Sequence, residues 1–361
     1  MNMCAGQVLV AGFGAGEPPN ALLRMAAAGS LGGFILFRRN LGAPAEVAEL
    51  AWRLHDSVPS ELPAWLGVDQ EGGRVARLGA PVLRLPPMRA LGDIDDAALT
   101  FECAARLGRQ LRVLGFNLNF APVLDVDTNP ANPVIGDRSF GRTAERVIRH
   151  GRAFAGGLAE AGIAACGKHF PGHGDTAQDS HLDLPRLPHP RSRLDQVELA
   201  PFAALAASLP CIMTAHVIFE AIDPEVPATL SPAVIDVLRS ELQYRGVVIS
   251  DDLEMKAISD HHELGEAACA AIAAGCDSLL VCSNVEQLQR AHEALLHRAQ
   301  REPDFAARLR AAAERSLSVR LRHRAQPAAP ARAEQLLALE RPAELEERLA
   351  LAQHASSVSQ A

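Results

Sequence analysis

Residues 168–181 read KHFPGHGDTAQDSH and bring Lys168, His169, His173, Asp175, Asp179 and His181 into one short stretch. Unpaired charge is expensive to bury, so side chains of this kind belong at a surface or in a polar cavity. Pro171, Gly172 and Gly174 mark a loop, and the GIAACG run before it reads as a buried strand. A polar loop at a strand end is where α/β proteins keep their chemistry. Asp179 and His181 are two apart and can hydrogen-bond to each other. A carboxylate on one imidazole nitrogen fixes the tautomer and makes the other a better base. The alternative for an isolated DSH is a solvated loop.

Other strand ends carry similar groups. SDDLEM (250–255) follows the apolar GVVI. Paired acids there serve as catalytic carboxylates, as ligands, or as helix N-caps worth about 1 kcal/mol. One of the two can cap while the other faces a ligand. VDQEGGRVARL (68–78) puts Asp69 at a strand end, placed to accept hydrogen bonds from vicinal hydroxyls, with Gly72 and Gly73 permitting a close turn. Lys168 and His169 can donate to hydroxyls or form a structural ion pair. His173 either orders its loop or meets a ligand, and His216, ending PCIMTAH, either lines a pocket or packs. In APVLDVDTNPANPVIGDRSFG (121–141), Asp125, Asp127, Asn129 and Asp137 read as loop-ordering groups; calcium, which takes Asp oxygens, is the alternative.

The elements that must hold these residues are legible as periodicity. Eight apolar runs, at 7–13, 32–37, 64–69, 116–126, 162–170, 210–216, 246–252 and 277–282, alternate with Ala- and Leu-rich helical stretches such as 44–58, 96–115 and 143–162. Gly115 and Gly162 stand where helix C-caps want glycine. Eight strands interleaved with helices, with polar motifs after at least five of them, predict a single (β/α)8 TIM-type barrel in preference to a doubly wound sheet. The barrel is expected over 1–322, followed by a Pro/Ala linker and charged helical tail over 323–361.

Composition narrows the function classes. The net charge of −8 argues against a nucleic-acid partner. With 12 Phe, two Trp and one Tyr there is little material for an extended aromatic groove, so a compact pocket is expected. The seven Cys lack a CxxC pair and fall largely in apolar runs, the pattern of buried thiols in a reducing compartment. The N-terminal MNMCAGQVLVAGFGAG has no basic residue before Arg24 and reads as a barrel strand, not a signal peptide. No run approaches the ~20 apolar residues a membrane span needs. A cytoplasmic monomer acting on a small molecule is the expectation, with no membrane partner.

Taken together, PGHGDT followed by DSH, the strand-end KH and SDD, VDQEGGR and GDRSFG resemble the family-3 glycoside hydrolases, and within them the bacterial β-N-acetylglucosaminidases. The resemblance covers roughly residues 6–285. It implies that Asp251 is the nucleophile and Asp252 a capping or supporting residue. His181 would be the acid/base, oriented by Asp179, in place of the usual second carboxylate. Asp69, Arg77, Arg138, Lys168 and His169 would bind the sugar. No metal or cofactor is implied. The substrate implied is a muropeptide, GlcNAc linked to 1,6-anhydro-MurNAc-peptide, in cell-wall recycling. A broader β-glycosidase or a glycoside phosphorylase is the alternative within the family, and a metal-dependent hydrolase, suggested by the 13 His, the alternative outside it.

Overall fold

The computed structural model of the chain describes residues 1–176, 184–340 and 344–351. Eight parallel strands form a closed barrel: β1 (Leu9–Ala11), β2 (Gly33–Leu36), β3 (Trp65–Val68), β4 (Leu118–Asn119), β5 (Ala164–Phe170), β6 (Cys211–Thr214), β7 (Val247–Asp252) and β8 (Ser278–Val281). Each pairs with its neighbours in the chain, and β8 closes the ring on β1, with Leu9 beside Leu279 and Val10 beside Leu280. Each of the eight predicted runs contains a barrel strand, though the strands are shorter than the runs: 116–126 keeps only Leu118–Asn119, and 7–13, expected to be strand from the N-terminus, opens at the end of a helix Asn2–Gln7. They read as continuous apolar runs because both faces are covered: one by helices, the other by the barrel interior. Val10, Ile35, Trp65, Leu118, Phe120, Met213 and Leu280 fill that interior.

Around the ring lie helices that include Pro44–Asp56, Ala97–Val113, Ala144–Glu160, Leu264–Ala274 and Val285–Arg301. Asp96 caps the second by accepting from the N–H groups of Ala98 and Leu99. Gly115 and Gly162 follow their helices at φ +92° and +78°, the left-handed geometry that favours glycine at a helix end.

The N-terminal end of the barrel is closed by the helix Pro303–Arg322. Val319 joins the interior cluster, and the buried Arg320 donates to the carbonyls of Gly32 and Pro63 and to Oε1 of Gln7. Burial pushes the Arg320 guanidinium down to about 9. The tail is more firmly attached than its composition suggests. In the helix Pro330–Leu339, Ala333 and Leu337 are buried, as are Leu345 and Leu349 beyond it, and Glu340 is held 3.0 Å from both Arg106 and Arg109. Among the described residues no helix is long and apolar enough to cross a membrane.

Two irregularities in the ladder matter for function. Between Gly167 and Phe170 β5 advances three residues while β6 advances two, from Ile212 to Thr214. Between Ile249 and Asp252 β7 advances three while β8 advances two, from Ser278 to Leu280. Each extra residue breaks the strict alternation of faces. As a result Lys168 and His169, and again Asp251 and Asp252, reach the same cavity as consecutive residues.

Candidate active site

A cavity of about 340 Å³ opens at the C-terminal mouth of the barrel, within the range of small-ligand sites. Asp69, Arg77, Arg138, Lys168, His169, His173, Asp251 and Asp252 line it, with Phe37 and Arg39, and Met213, Met255 and Leu280 form its apolar wall. Of the ten residues read from sequence as catalytic, sugar-binding or pocket-lining, seven meet here, whereas Asp125, Asp127, Asn129, Asp137 and Asp175 are not among the lining residues. Asp179 and His181 lie outside the described residues. His216 is buried behind the wall: its Nε2 is 2.9 Å from the Asp252 carbonyl and its Nδ1 2.8 Å from Oγ1 of Thr229.

The two acids of β7 are differentiated by their surroundings. For Asp251, burial works against ionisation. The rings of His216 and His169, the N–H of Asp252 at 2.8 Å and the Lys168 ammonium more than offset it, so the carboxyl lies below its ordinary value. Asp252 is pushed up to about 7 by burial, with Glu254 and Asp251 adding repulsion; the N–H groups of Glu254 (3.1 Å) and Cys282 (3.3 Å) pull the other way. Through those two contacts Asp252 ties the end of β7 to the residue after β8. Neighbouring acids whose ionisation is driven apart take different roles.

On the opposite side runs a chain of alternating charge. Nζ of Lys168 is 2.8 Å from Asp69 and 2.6 Å from Glu71. Arg138 grips Glu71 with two parallel contacts of 2.8 and 2.9 Å and donates to the Val134 carbonyl at 3.1 Å. Arg77 is 3.5 Å from Asp69. Glu71, 1% exposed, is held well below the usual carboxylate range: burial opposes its ionisation, but Arg138 and Lys168 outweigh it. Asp69 and Glu71 with compensating cations on both sides present acceptors and donors at once, as polyhydroxylated ligands need. Glu71 was not singled out from sequence. The available signal was its spacing: two residues after Asp69 in an extended stretch puts both carboxylates on one side.

His169 is oriented from below. Its Nδ1 lies 2.7 Å from Oδ2 of Asp125, whose other oxygen accepts from the N–H groups of His169 (3.2 Å) and His173 (2.7 Å). Asp125 thus orders the loop, as its sequence context suggests, and also holds a cavity-lining ring. His173 is 2% exposed, with Nδ1 2.8 Å from Oγ1 of Thr176. Burial pushes its imidazole down to about 4, helped by the neighbouring His169.

A barrel with this cavity at its C-terminal mouth has the general layout of a barrel enzyme, and sequence relationships specify which. Residues 6–319 match the N-terminal domain of glycosyl hydrolase family 3. A β-hexosaminidase of Alkalilimnicola ehrlichii is 45% identical over 264 residues, 71% of this chain and 75% of the relative. One from Pseudomonas aeruginosa is 41% identical over 285 residues, 78% and 83% of the two chains. Among solved structures, a family 3 β-N-acetylglucosaminidase from Paenibacillus is 44% identical with a TM-score of 0.86; the match covers 90% of this chain and 62% of that one, so this chain spans less than two thirds of its length. Native NagZ from Neisseria gonorrhoeae, 29% identical, superposes with a TM-score of 0.78 over 97% of this chain and 98% of its own. The chain belongs to glycosyl hydrolase family 3 and is a glycoside hydrolase.

Proposed function

We propose that this enzyme is a retaining exo-β-N-acetylglucosaminidase. The observation that carries the reading is Asp251, an acid favoured in its ionised form at the wall of a compact cavity, facing the Asp69–Lys168–Glu71–Arg138 chain. A terminal sugar seated there has its hydroxyls within reach of Asp69, Lys168, His169, Arg77 and Arg138. Met213, Met255 and Leu280 offer an apolar wall of the kind an acetamido methyl packs against.

In the first step the Asp251 carboxylate attacks the anomeric carbon as the bond to the leaving oxygen breaks, and His181 gives its proton to that oxygen. In the second, His181 takes a proton from water, the water oxygen attacks the anomeric carbon, and Asp251 leaves as carboxylate. Two inversions give net retention. Asp179 orients His181. The roles of this pair rest on the sequence motif. The relatives called β-hexosaminidase and the likeness to NagZ support N-acetylglucosamine as the sugar. A muropeptide, GlcNAc linked to 1,6-anhydro-MurNAc-peptide, is the substrate we assign, hydrolysed in the cytoplasm during cell-wall recycling without metal or cofactor.

The test compares a chromogenic N-acetyl-β-glucosaminide with the matching β-glucoside, each with and without phosphate. Preference for the N-acetylated substrate with no phosphate dependence is expected. Equal use of the two sugars turns the assignment to a broad β-glycosidase, and a phosphate requirement turns it to a phosphorylase.

A further inference from the structure

At the end of the barrel away from the catalytic cavity, arginines converge on one acid. Asp277 immediately precedes β8 and is fully buried. Its carboxylate accepts from the N–H of Val248 (2.9 Å), from Arg239 and from Nη1 of Arg315 (2.5 Å), and lies 3.5 Å from Arg308. Arg239 also donates to the Gly246 carbonyl (2.8 Å), and Arg308 to the carbonyls of Ile272 (3.1 Å) and Cys276 (3.3 Å). Arg308 and Arg315 stand about two turns apart on one face of the helix Pro303–Arg322. Beside them an open recess of about 670 Å³ is lined by Arg239, Arg245, Arg308 and Arg315, with Asp236 the acid among its lining residues.

Four guanidinium charges thus face two carboxylates, Asp236 and Asp277, in a chain whose net charge is −8. Compensating Asp277 needs one cation; the rest are surplus. The surplus is felt at Arg308. Burial, with Arg315 and Arg239 adding repulsion, outweighs the attraction of Asp277 and holds its guanidinium below the ordinary value. Arg138, less exposed but matched to Glu71, shifts the other way. Among the described residues Arg315 makes a single hydrogen bond, to Asp277, and the exposed Arg245 a single one, to Gln243 (3.1 Å), so most of their N–H donors remain for a ligand. We propose that this recess is a binding site for a phosphate group, free or carried as a phosphomonoester, remote from the catalytic cavity. Guanidinium forks match a tetrahedral oxyanion with paired N–H bonds, and a dianion supplies the negative charge the cluster lacks. The recess is larger than a lone phosphate needs, which favours the phosphomonoester.

The experiment titrates the whole chain with inorganic phosphate and with glycerol 3-phosphate by isothermal calorimetry, with sodium chloride holding the ionic strength constant. Saturable binding of one phosphate group per chain is expected, and with it a melting temperature that rises with ligand concentration. Arg315→Gln should weaken binding roughly tenfold or more, the loss of one charge-assisted hydrogen bond. Arg245→Gln, which leaves the contacts of Asp277 intact, should weaken it several-fold. Both variants should keep the parental kcat/KM on the chromogenic N-acetyl-β-glucosaminide. Arg310→Gln removes the same charge from an exposed position of the same helix, outside the recess, and should leave binding unchanged. Tighter binding of glycerol 3-phosphate assigns the site to a phosphomonoester; equal or tighter binding of inorganic phosphate assigns it to the free ion. No saturable binding at matched ionic strength, binding that survives both Arg315→Gln and Arg245→Gln, or binding weakened as much by Arg310→Gln, overturns the proposal.

Discussion

The carboxylate of Asp125 meets Nδ1 of His169 at 2.7 Å, and neither is open to bulk water. Burial would raise the Asp125 carboxyl, but His169, His173 and the N–H of His173 outweigh it and hold it below its ordinary value. The proton between the pair therefore belongs to the ring. Nδ1 is committed to Asp125 and Nε2 is the nitrogen left for a ligand.

Asp125→Asn tests that polarity. The amide keeps the volume but turns a donor toward Nδ1, which forces the opposite tautomer and reverses the hydrogen-bonding sense of Nε2. The expected result is a fall in kcat/KM of roughly 5- to 150-fold, the effect of about 1–3 kcal/mol for a mispaired polar group, with little change in melting temperature. Unchanged kinetics would remove His169 from sugar binding.

Asp251 and Asp252 should respond differently to the same change. With Asp251 as the proposed nucleophile, Asp251→Asn is expected to abolish activity on every substrate. Asp252→Asn retains a side-chain oxygen for the N–H groups of Glu254 and Cys282 and should lose less than about tenfold. Intact mass spectrometry of His181→Ala mixed with an aryl N-acetylglucosaminide should trap one N-acetylhexosamine on Asp251; an adduct on Asp252 reverses the assignment. The pH profile makes a second distinction. Its acid limb, set by Asp251, should lie below the ordinary carboxylate value. Its alkaline limb can come from the His181 imidazole, with a reference value near ~6.5, or from Asp252 at about 7. A limb that survives in Asp252→Asn belongs to His181.

His173 makes stability depend on pH. Its folded value of about 4 lies below the ordinary 6.5. Below 6.5 the unfolded chain binds a proton the folded chain refuses, so this stability is full above 6.5 and drains away as pH falls toward 4. The gap corresponds to about 3 kcal/mol in total, about 2 of it lost by pH 5. Asp252, pushed up to about 7, contributes the opposite slope over the same range, so the test is the difference between parent and variant: urea melts should show His173→Gln gaining about 2 kcal/mol on the parent between pH 7 and pH 5. An identical slope in the variant would refute the attribution.

Glu71→Gln leaves the buried Lys168 and Arg138 short of a counter-charge. Breaking a buried ion network from one side costs about 3–5 kcal/mol, readable in chemical denaturation. Lys168 and Arg138 should lose their set positions at the same time, so substrate affinity should fall as well. Stability within error of the parent would mean that Asp69 alone compensates the two cations.

Much of the fold was legible because parallel strands covered on both faces leave apolar runs too regular to miss, and because Gly115 and Gly162 mark helix ends by backbone geometry that other residues adopt at a cost. The packing of the tail was hidden for the converse reason: Ala333, Leu337, Leu345 and Leu349 are few and scattered among charges, so the face they bury is thin. At the site, the strand-end acids and bases could be read as candidates from type and position. Their partners could not. The spacing of Glu71 from Asp69 puts two carboxylates on one side but does not name Lys168 and Arg138 as their partners, and nothing local in APVLDV says that Asp125 will lie beneath His169. Those contacts are made across the barrel mouth, between β3, β4 and β5. The extra residues in β5 and β7 were equally hidden, since a register offset is a property of two strands together.

Val319 and Arg320 pack the end of the barrel away from the cavity, whose mouth is the doorway at the other end. A disaccharide whose terminal sugar fills the cavity keeps its other half in that doorway. On the proposed retaining mechanism, departure is a queue with a fixed order: the aglycone steps out first, water enters by the space it vacates, and the freed sugar goes last. Free N-acetylglucosamine accumulating outside would re-enter the same dead end and compete with new substrate, so the rate of turnover answers to how quickly the surroundings carry that sugar away.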